Sequence, residues 1–556
     1  MKMIFLRRIE RPLVNDKRRQ NCSYNVSMTN PSSANRQIAR AAGTVMVAFV
    51  LSNLANLASL ILNATRFGAQ AEMDAFWAAN RVCETIFTLM AGGALGSAFI
   101  PTFAGLLAKG ERQMAWRLAS ALANLILLAL SAAALLAAIY APWVVRHLLA
   151  SGFANDPATE SLTVSLLRLM LPSAVIFGLS GLVMGILNAH QVFFIPALTP
   201  ALYRLGMVFG VLVLAPSMGI YGLAWGVVIG ASLHLLLQLP GLWRLQGSYT
   251  PGLGLALPEV RQVFWLMGPR VFGVAVVQLN FWVNTNLASY MAEGSLAALN
   301  WGLTMMLMPQ AVIAQAVATA ALPTLAAQYA LGKLDQVRAS LAASLRAILL
   351  LALPASLGLI LLRQPVVALM MQYGNFDAQS TQMVAWALLW YSAGLVGHCV
   401  VEILARAFYA LHDTKTPVLV GSAAMGLNVG LSLLLAEWFR RLGLLPHGGL
   451  ALANSLATGL EALALLWLIQ RRLQGLGGRA VWNATVQAAL ATAGMGLALA
   501  GWLRLMQDRS PLLEALGGVV VGGAVYAGLV YLLRVDEART LTRILAQRLS
   551  RIRHGG

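Results

Sequence analysis

Arg81 and Glu84 stand three residues apart inside an otherwise apolar stretch, and Glu402 and Arg406 stand four apart inside another. Either spacing puts both charges on one helical face, so each pair can neutralise itself. Arg270 lies in a third apolar stretch with no acidic residue within helical reach. An arginine at such a depth costs on the order of 3 kcal/mol on insertion scales, so an unpaired one marks an anion site. Ser52, Asn56, Ser59 and Asn63 follow at spacings of four, three and four, with Asn53 beside them. They form one polar stripe on one helix face, turned toward protein or water and not toward lipid. The chemistry available is recognition of an anionic group by Arg81, Arg270 and neutral hydrogen bonders. Arg204 and Glu461, also inside apolar stretches, are secondary candidates. Bond-making chemistry has no constellation: the seven His are scattered, and none pairs with a second carboxylate or a Cys at ligand spacing. No metal site and no cofactor are expected.

The elements that must hold these residues are membrane spans. The chain has 556 residues, 59% of them hydrophobic and 11% charged. A soluble domain carries about 25% charged residues, so an all-α polytopic membrane protein is expected, with the bilayer as its partner. Cys22, Cys83 and Cys399 lie far apart without metal or disulfide spacing. The net charge of +19 gathers in the tails and in alternate loops, which is the pattern of membrane orientation and excludes a nucleic-acid reading.

Apolar stretches of roughly 20 residues or more centre at 43–63, 76–107, 118–141, 161–187, 192–214, 219–242, 262–291, 296–328, 339–362, 381–411, 416–437, 448–470, 481–503 and 512–533, which predicts about fourteen helices. Lys109, Arg112, Lys333, Arg338, Lys415, Arg471 and Arg472 fall in loops on the side of both termini, so both termini are expected in the cytoplasm. Residues 1–40 carry nine Lys and Arg and no apolar core long enough for a signal peptide, and read as a basic cytoplasmic tail. Met28 is an alternative start to Met1.

The chain also repeats itself. "SAFIPTFAGLLAKGE" at 97–111 returns as "TAALPTLAAQYALGK" at 319–333, "ASGFAND" at 150–156 as "QYGNFDA" at 372–378, and "NAHQVFFIP", ending at Pro196, as "YALHDTKTP", ending at Pro417. The offset stays at 221 to 223 residues. This predicts two six-helix halves, 41–245 and 246–470, helices thirteen and fourteen within 471–534, and a basic tail at 535–556. An even number of helices per half relates the halves by an axis along the membrane normal, an arrangement that builds transporters rocking about a midplane cavity. Pro101 and Pro323, equivalent in the repeat, fall inside long spans where they permit bends.

"FGAQAEMDAFWAANR" at 67–81, "GALGSAFIP" at 93–101, "GPRVFGVAVVQLNFWVNTNLASYMAEGS" at 268–295, "QYGNFD" at 372–377 and "FYALHDTKTPV" at 408–418 resemble landmarks of the MurJ/MviN lipid II flippases of the polysaccharide exporter superfamily. The similarity covers about residues 40–535. It implies a transporter, not an enzyme, in the bacterial cytoplasmic (inner) membrane, which moves a lipid-linked oligosaccharide, the undecaprenyl-diphosphate-linked peptidoglycan precursor, to the outer leaflet by alternating access. It also implies coupling to the membrane potential or to an ion, and cell-wall synthesis enzymes as partners.

The chain departs from that pattern at the basic positions. Typical members carry arginines on the first span where this chain has Asn53 and Ser59, an N-L-L-R-R run where it has "ETIFT" with Phe87 and Thr88, an acid where it has Gly92, and an arginine on the eighth span where it has Thr304. Charge-assisted bonds are about twice as strong as neutral ones, so a diphosphate loses support here. The candidate substrate-binding set is therefore Arg81, Arg270, Ser52, Asn53, Asn56, Ser59, Asn63, Glu84, Thr304, Glu402 and Arg406. Two alternatives stand beside the lipid II reading: a divergent paralogue exporting another polyprenyl-linked glycolipid or amphiphile, and a non-transporting membrane scaffold for envelope enzymes.

Overall fold

The computed structural model describes residues 31–90, 94–476, 478–507 and 509–533, excepting the side chains of 31–47, 49, 90, 94–97, 269 and 270. The tail expected at 535–556, residues 1–30 of the other tail, Cys22 and Gly92 lie outside these. Regular structure among the described residues is helical throughout. The first part of the chain forms α1 Pro31–Phe67, α2 Ala71–Met90, α3 Ala94–Ala108, α4 Arg112–Ile139, the single turn α5 Ala141–Val144, α6 Pro157–Ala189, α7 Phe194–Phe209, α8 Ala215–Met218, α9 Ile220–Leu236 and α10 Leu239–Arg244. The second forms α11 Pro258–Ser289, α12 Ser295–Gln310, α13 Ala316–Ala330, α14 Leu334–Met371, α15 Ala378–Ala393, α16 Leu395–Ala410, α17 Lys415–Arg441 and α18 His447–Arg472. α19 Gly478–Met506 and α20 Pro511–Leu532 follow, packed against α14.

Eleven helices among the described residues are long and apolar enough to cross a membrane, and α15 with α16, bent by 47° at Gly394, make a twelfth span. This is a multi-pass membrane protein. α1, and α2 with α3, occupy the places of the other two expected spans, so length and composition account for twelve of the fourteen. The stretch expected as one span at 76–107 holds α2 and α3, with 91–93 outside the described residues, and α2 carries Glu72, Asp74, Arg81 and Glu84. Residues 31–40 belong to α1 and not to a tail.

Helix starts recur at the spacing seen in the sequence. Arg112 and Leu334 open α4 and α14 and lie 222 residues apart. The repeated Asp of "GFAND" and "GNFDA" has a physical task. Asp156 Oδ1 accepts the Ala158 N–H at 3.1 Å and Asp377 Oδ1 the Ser380 N–H at 2.7 Å, so each caps the N-terminus of the helix that follows. The Thr159 hydroxyl holds the Asp156 carboxyl below the usual carboxylate range, and the Ser380 backbone N–H does the same for Asp377. A lowered folded-state pKa means that the cap stabilises above the unfolded value of about 4 and is lost as pH falls through the folded value. Asp156→Ala and Asp377→Ala are each expected to cost about 1 kcal/mol at neutral pH. Melting temperatures should show that deficit at pH 7, and the gap to the parent should close toward pH 2.

The landmark "HDTKTP" is structural as well. Asp413 accepts the Thr416 N–H at 3.0 Å and its hydroxyl at 2.8 Å, and takes Arg472 from the end of α18 as ion-pair partner. Within the spans, α11 is tied to α17 by side-chain amides: Asn280 Nδ2 donates to the Met425 carbonyl at 3.1 Å, and Asn428 Nδ2 donates to Asn280 Oδ1 at 3.2 Å.

One end of the bundle is sealed by bonds between 41–245 and 246–470. Asn375 donates its backbone N–H to the Thr65 carbonyl at 2.9 Å and its amide to the Arg66 carbonyl at 2.7 Å. Asp74 accepts the N–H groups of Gly294 (2.8 Å) and Ala297 (2.7 Å), while Glu293 accepts the Ala71 N–H at 2.9 Å. Asp74 thus caps α12, and Glu293 caps α2: each helix start is closed by an acid from across the seam. Gly294 adopts φ +83°, and a Cβ there would stand 2.1 Å from the Ala69 carbonyl oxygen. Only Gly meets both conditions.

At the opposite end the bonds stay local, from Arg112 to the Leu245 carbonyl and from Arg338 to the Leu473 carbonyl. There the start of α11 packs Val260, Val263 and Met267 among Phe99, Phe103 and Leu122.

Candidate functional site

Between α1 and α2 on one side and α11 and α12 on the other lies a cavity of about 460 Å³. A second, of about 440 Å³, lies among α1, α2, α6, α7 and α9. Asn53, Asn56, Trp77, Glu84 and Arg204 line both, so the two share a wall or mouth. The polar stripe of α1 runs along them: Asn56, Ser59 and Asn63 on the central cavity, Ser52, Asn53 and Asn56 on the side cavity. Thr304 and Arg81 complete the central wall. Eight of the eleven expected residues are brought together.

Three are not. Glu402 and Arg406 pair with each other on α16 at 2.6 Å and line neither cavity. Their four-residue spacing serves a local ion pair. Arg270 falls on α11 and its side chain lies outside the described residues.

Arg81, the first expectation for an anion contact, is already engaged. One nitrogen donates to Glu84 Oε2 at 2.9 Å, another to Asn300 Oδ1 at 2.9 Å, and the guanidinium lies 4.8 Å from the Phe281 ring centroid. Asn300 and Phe281 belong to the second half of the chain, so Arg81 braces the cavity across the seam. Arg204 is different. It reaches only Met207 Sδ, at 3.7 Å, and the Tyr203 ring, at 5.4 Å, and makes no ion pair among the described residues. The lining carries two arginines against one glutamate, and the uncompensated charge is that of Arg204.

The central wall also holds polar atoms without a protein partner: Ser59 Oγ, Asn63 Oδ1, Trp77 Nε1, Arg81 Nε and Trp301 Nε1. Buried polar groups are paired in the great majority of cases, and exceptions gather at functional sites. Trp77 and Trp301 are each the seventh residue of their helix, α2 and α12. Sequence reasoning passed over both. Arg204 could not be ranked from sequence, because its lack of a partner is a fact of three dimensions.

A bundle of spans with a polar, net-positive cavity at its centre, sealed at one end, defines a polytopic membrane transporter. The family described as "Lipid II flippase MurJ" matches residues 63–516. The lipid II flippase MurJ of Burkholderia cenocepacia is 32% identical over 439 residues, covering 78% of this chain and 84% of that protein. The probable lipid II flippase MurJ of Bdellovibrio bacteriovorus is 30% identical over 485 residues, covering 85% and 91%. A solved structure of lipid II flippase MurJ in an inward closed conformation superposes with a TM-score of 0.77 at 23% identity, over 88% of this chain and 99% of that one. An inward-facing multidrug resistance MATE transporter of the MOP superfamily gives 0.65 at 15% identity, over 76% and 95%. These two show the shared fold. The chain belongs to the MurJ lipid II flippase family.

Proposed function

We propose that this protein carries lipid II, a diphosphate-linked oligosaccharide lipid, from the inner to the outer leaflet of the bacterial cytoplasmic membrane, by rocking 41–245 against 246–470. Arg204 carries the reading: an unpaired cation on the wall of a polar cavity is a site for a diphosphate. Family membership supports it. The seam lies away from the basic loops at Lys109, Arg112, Lys333 and Arg338, so by the positive-inside rule the opposite end and both termini face the cytoplasm. Coupling to the membrane potential or to an ion accompanies the cycle. The delivered lipid is substrate for cell-wall synthesis enzymes, the partners this reading implies.

Expression in a bacterium depleted of its own lipid II flippase is expected to restore growth. Lysis despite verified membrane insertion would transfer the reading to another polyprenyl-linked glycolipid, which the neutral Asn53, Ser59 and Thr304 favour. A single Cys placed at Asn56 should change its rate of labelling when substrate is added. A constant rate is what a non-transporting scaffold gives.

A further inference from the structure

The side cavity is enclosed by the first half alone, and its lining runs from Ser52 on α1 to His234 on α9. Its charged residues, Glu84 and Arg204, are the ones it shares with the central cavity; the titratable Cys83, Tyr203 and His234 complete the set. Behind them the wall alternates ring faces with hydrogen bonders: Phe177 and Tyr203 beside Asn80, Ser173 and His234.

His234 belongs to a buried relay. Gln238 Nε2 lies 2.9 Å from the His234 carbonyl and 2.6 Å from Ser180 Oγ. The carbonyl can only accept, so that Gln238 atom is the donor, and Ser180 accepts its second N–H. Among the described residues the one acceptor within reach of the Ser180 hydroxyl proton is His234 Nδ1, 2.7 Å away, and the bond that satisfies this buried proton leaves the ring proton on Nε2, which has no hydrogen-bond partner there. Ser180 and Gln238 are fully buried and His234 is 3% exposed. Burying three polar side chains in an apolar bundle is costly unless each is bonded, and here the bonds fix the direction of one imidazole N–H.

We propose that the side cavity is a subsite for a sugar ring of the transported lipid, with the His234 Nε2–H as the donor that reads it. A neutral wall of ring faces and amide, hydroxyl and imidazole groups suits a group that is uncharged, rich in hydroxyls and apolar on its C–H face. The position of Arg204 between the cavities sets the diphosphate at the entrance and the sugar behind it. The inference rests on the diphosphate-lipid reading above.

The test measures affinity of the purified full-length chain in nanodiscs for polyprenyl diphosphate and for the same lipid bearing an N-acetylhexosamine. The parent is expected to favour the sugar-bearing lipid by about tenfold, as for one buried hydrogen bond left unmade in its absence. His234→Leu should bring that ratio close to one, with the sugarless lipid as internal reference, and His234→Gln should restore part of it. Ser180→Ala, which leaves the imidazole in place but frees its tautomer, should lower the ratio to an intermediate value. A parent that binds both lipids equally, or a His234→Leu protein that keeps the preference, overturns the subsite and leaves the diphosphate reading standing. A parent that binds neither lipid overturns both.

Discussion

Arg204→Ala lowers affinity for a polyprenyl diphosphate by ten- to a hundredfold and abolishes rescue of flippase-depleted cells, while insertion and thermal stability stay near those of the parent. The magnitude corresponds to about 1.5–3 kcal/mol for hydrogen bonds to a charged group. Stability is spared because Arg204 gives up only a sulfur contact and a ring face. Arg204→Lys should recover part of the affinity, since an ammonium keeps the charge but not the planar fork that matches phosphate oxygens. Arg81→Ala behaves otherwise. It strands Glu84 without its partner and removes the bond to Asn300, so stability falls along with binding. Arg81→Ala combined with Glu84→Gln should therefore be milder than Arg81→Ala alone, a coupling visible in a double-mutant cycle. Titration of each variant with the diphosphate lipid decides the matter. Unchanged affinity in Arg204→Ala would remove this residue from the site.

Gly294→Ala opens the sealed end. The left-handed backbone alone costs an L-residue about 1–2 kcal/mol, and the added methyl would stand 2.1 Å from the Ala69 carbonyl oxygen. Backbone cannot rotate aside as a side chain does, so the clash is relieved by parting α2 from α12. An effect of about 3 kcal/mol in all shifts the closed-to-open ratio by roughly a hundredfold. The readout is disulfide formation between Arg66→Cys and Asn375→Cys, placed where Asn375 donates to the Arg66 carbonyl. Cross-linking should be fast in the parent seam and at least tenfold slower with Ala at 294. An equal rate would mean that this glycine does not hold the end shut.

The repeat was legible in the sequence because it is carried by residues with local tasks. Asp156 and Asp377 cap, Pro101 and Pro323 sit inside α3 and α13, and such tasks leave a fixed letter at a fixed offset. The α1 stripe was legible for a related reason, since four polar residues on one face need something other than lipid to meet. Charge was the poorer guide. A pair such as Glu402 and Arg406 announces itself by spacing, yet that spacing is what makes it self-sufficient. Arg204, four residues after a Pro in an apolar helix, looks unremarkable until the structure shows that no carboxylate reaches it.

The reciprocal caps at the seam couple opening of that end to the hold on an anionic cargo. While the end is shut, the negative charge of Asp74 lies against the α12 start and that of Glu293 against the α2 start, each quieted by backbone N–H groups. Parting the halves would uncover both carboxylates together, at the mouth through which an anion must leave. The bared rim then weakens the hold of the cavity on a diphosphate. By reciprocity, an anion held within favours the shut rim, so departure of the cargo and baring of the two acids become a single event, and the exit works as an electrostatic valve.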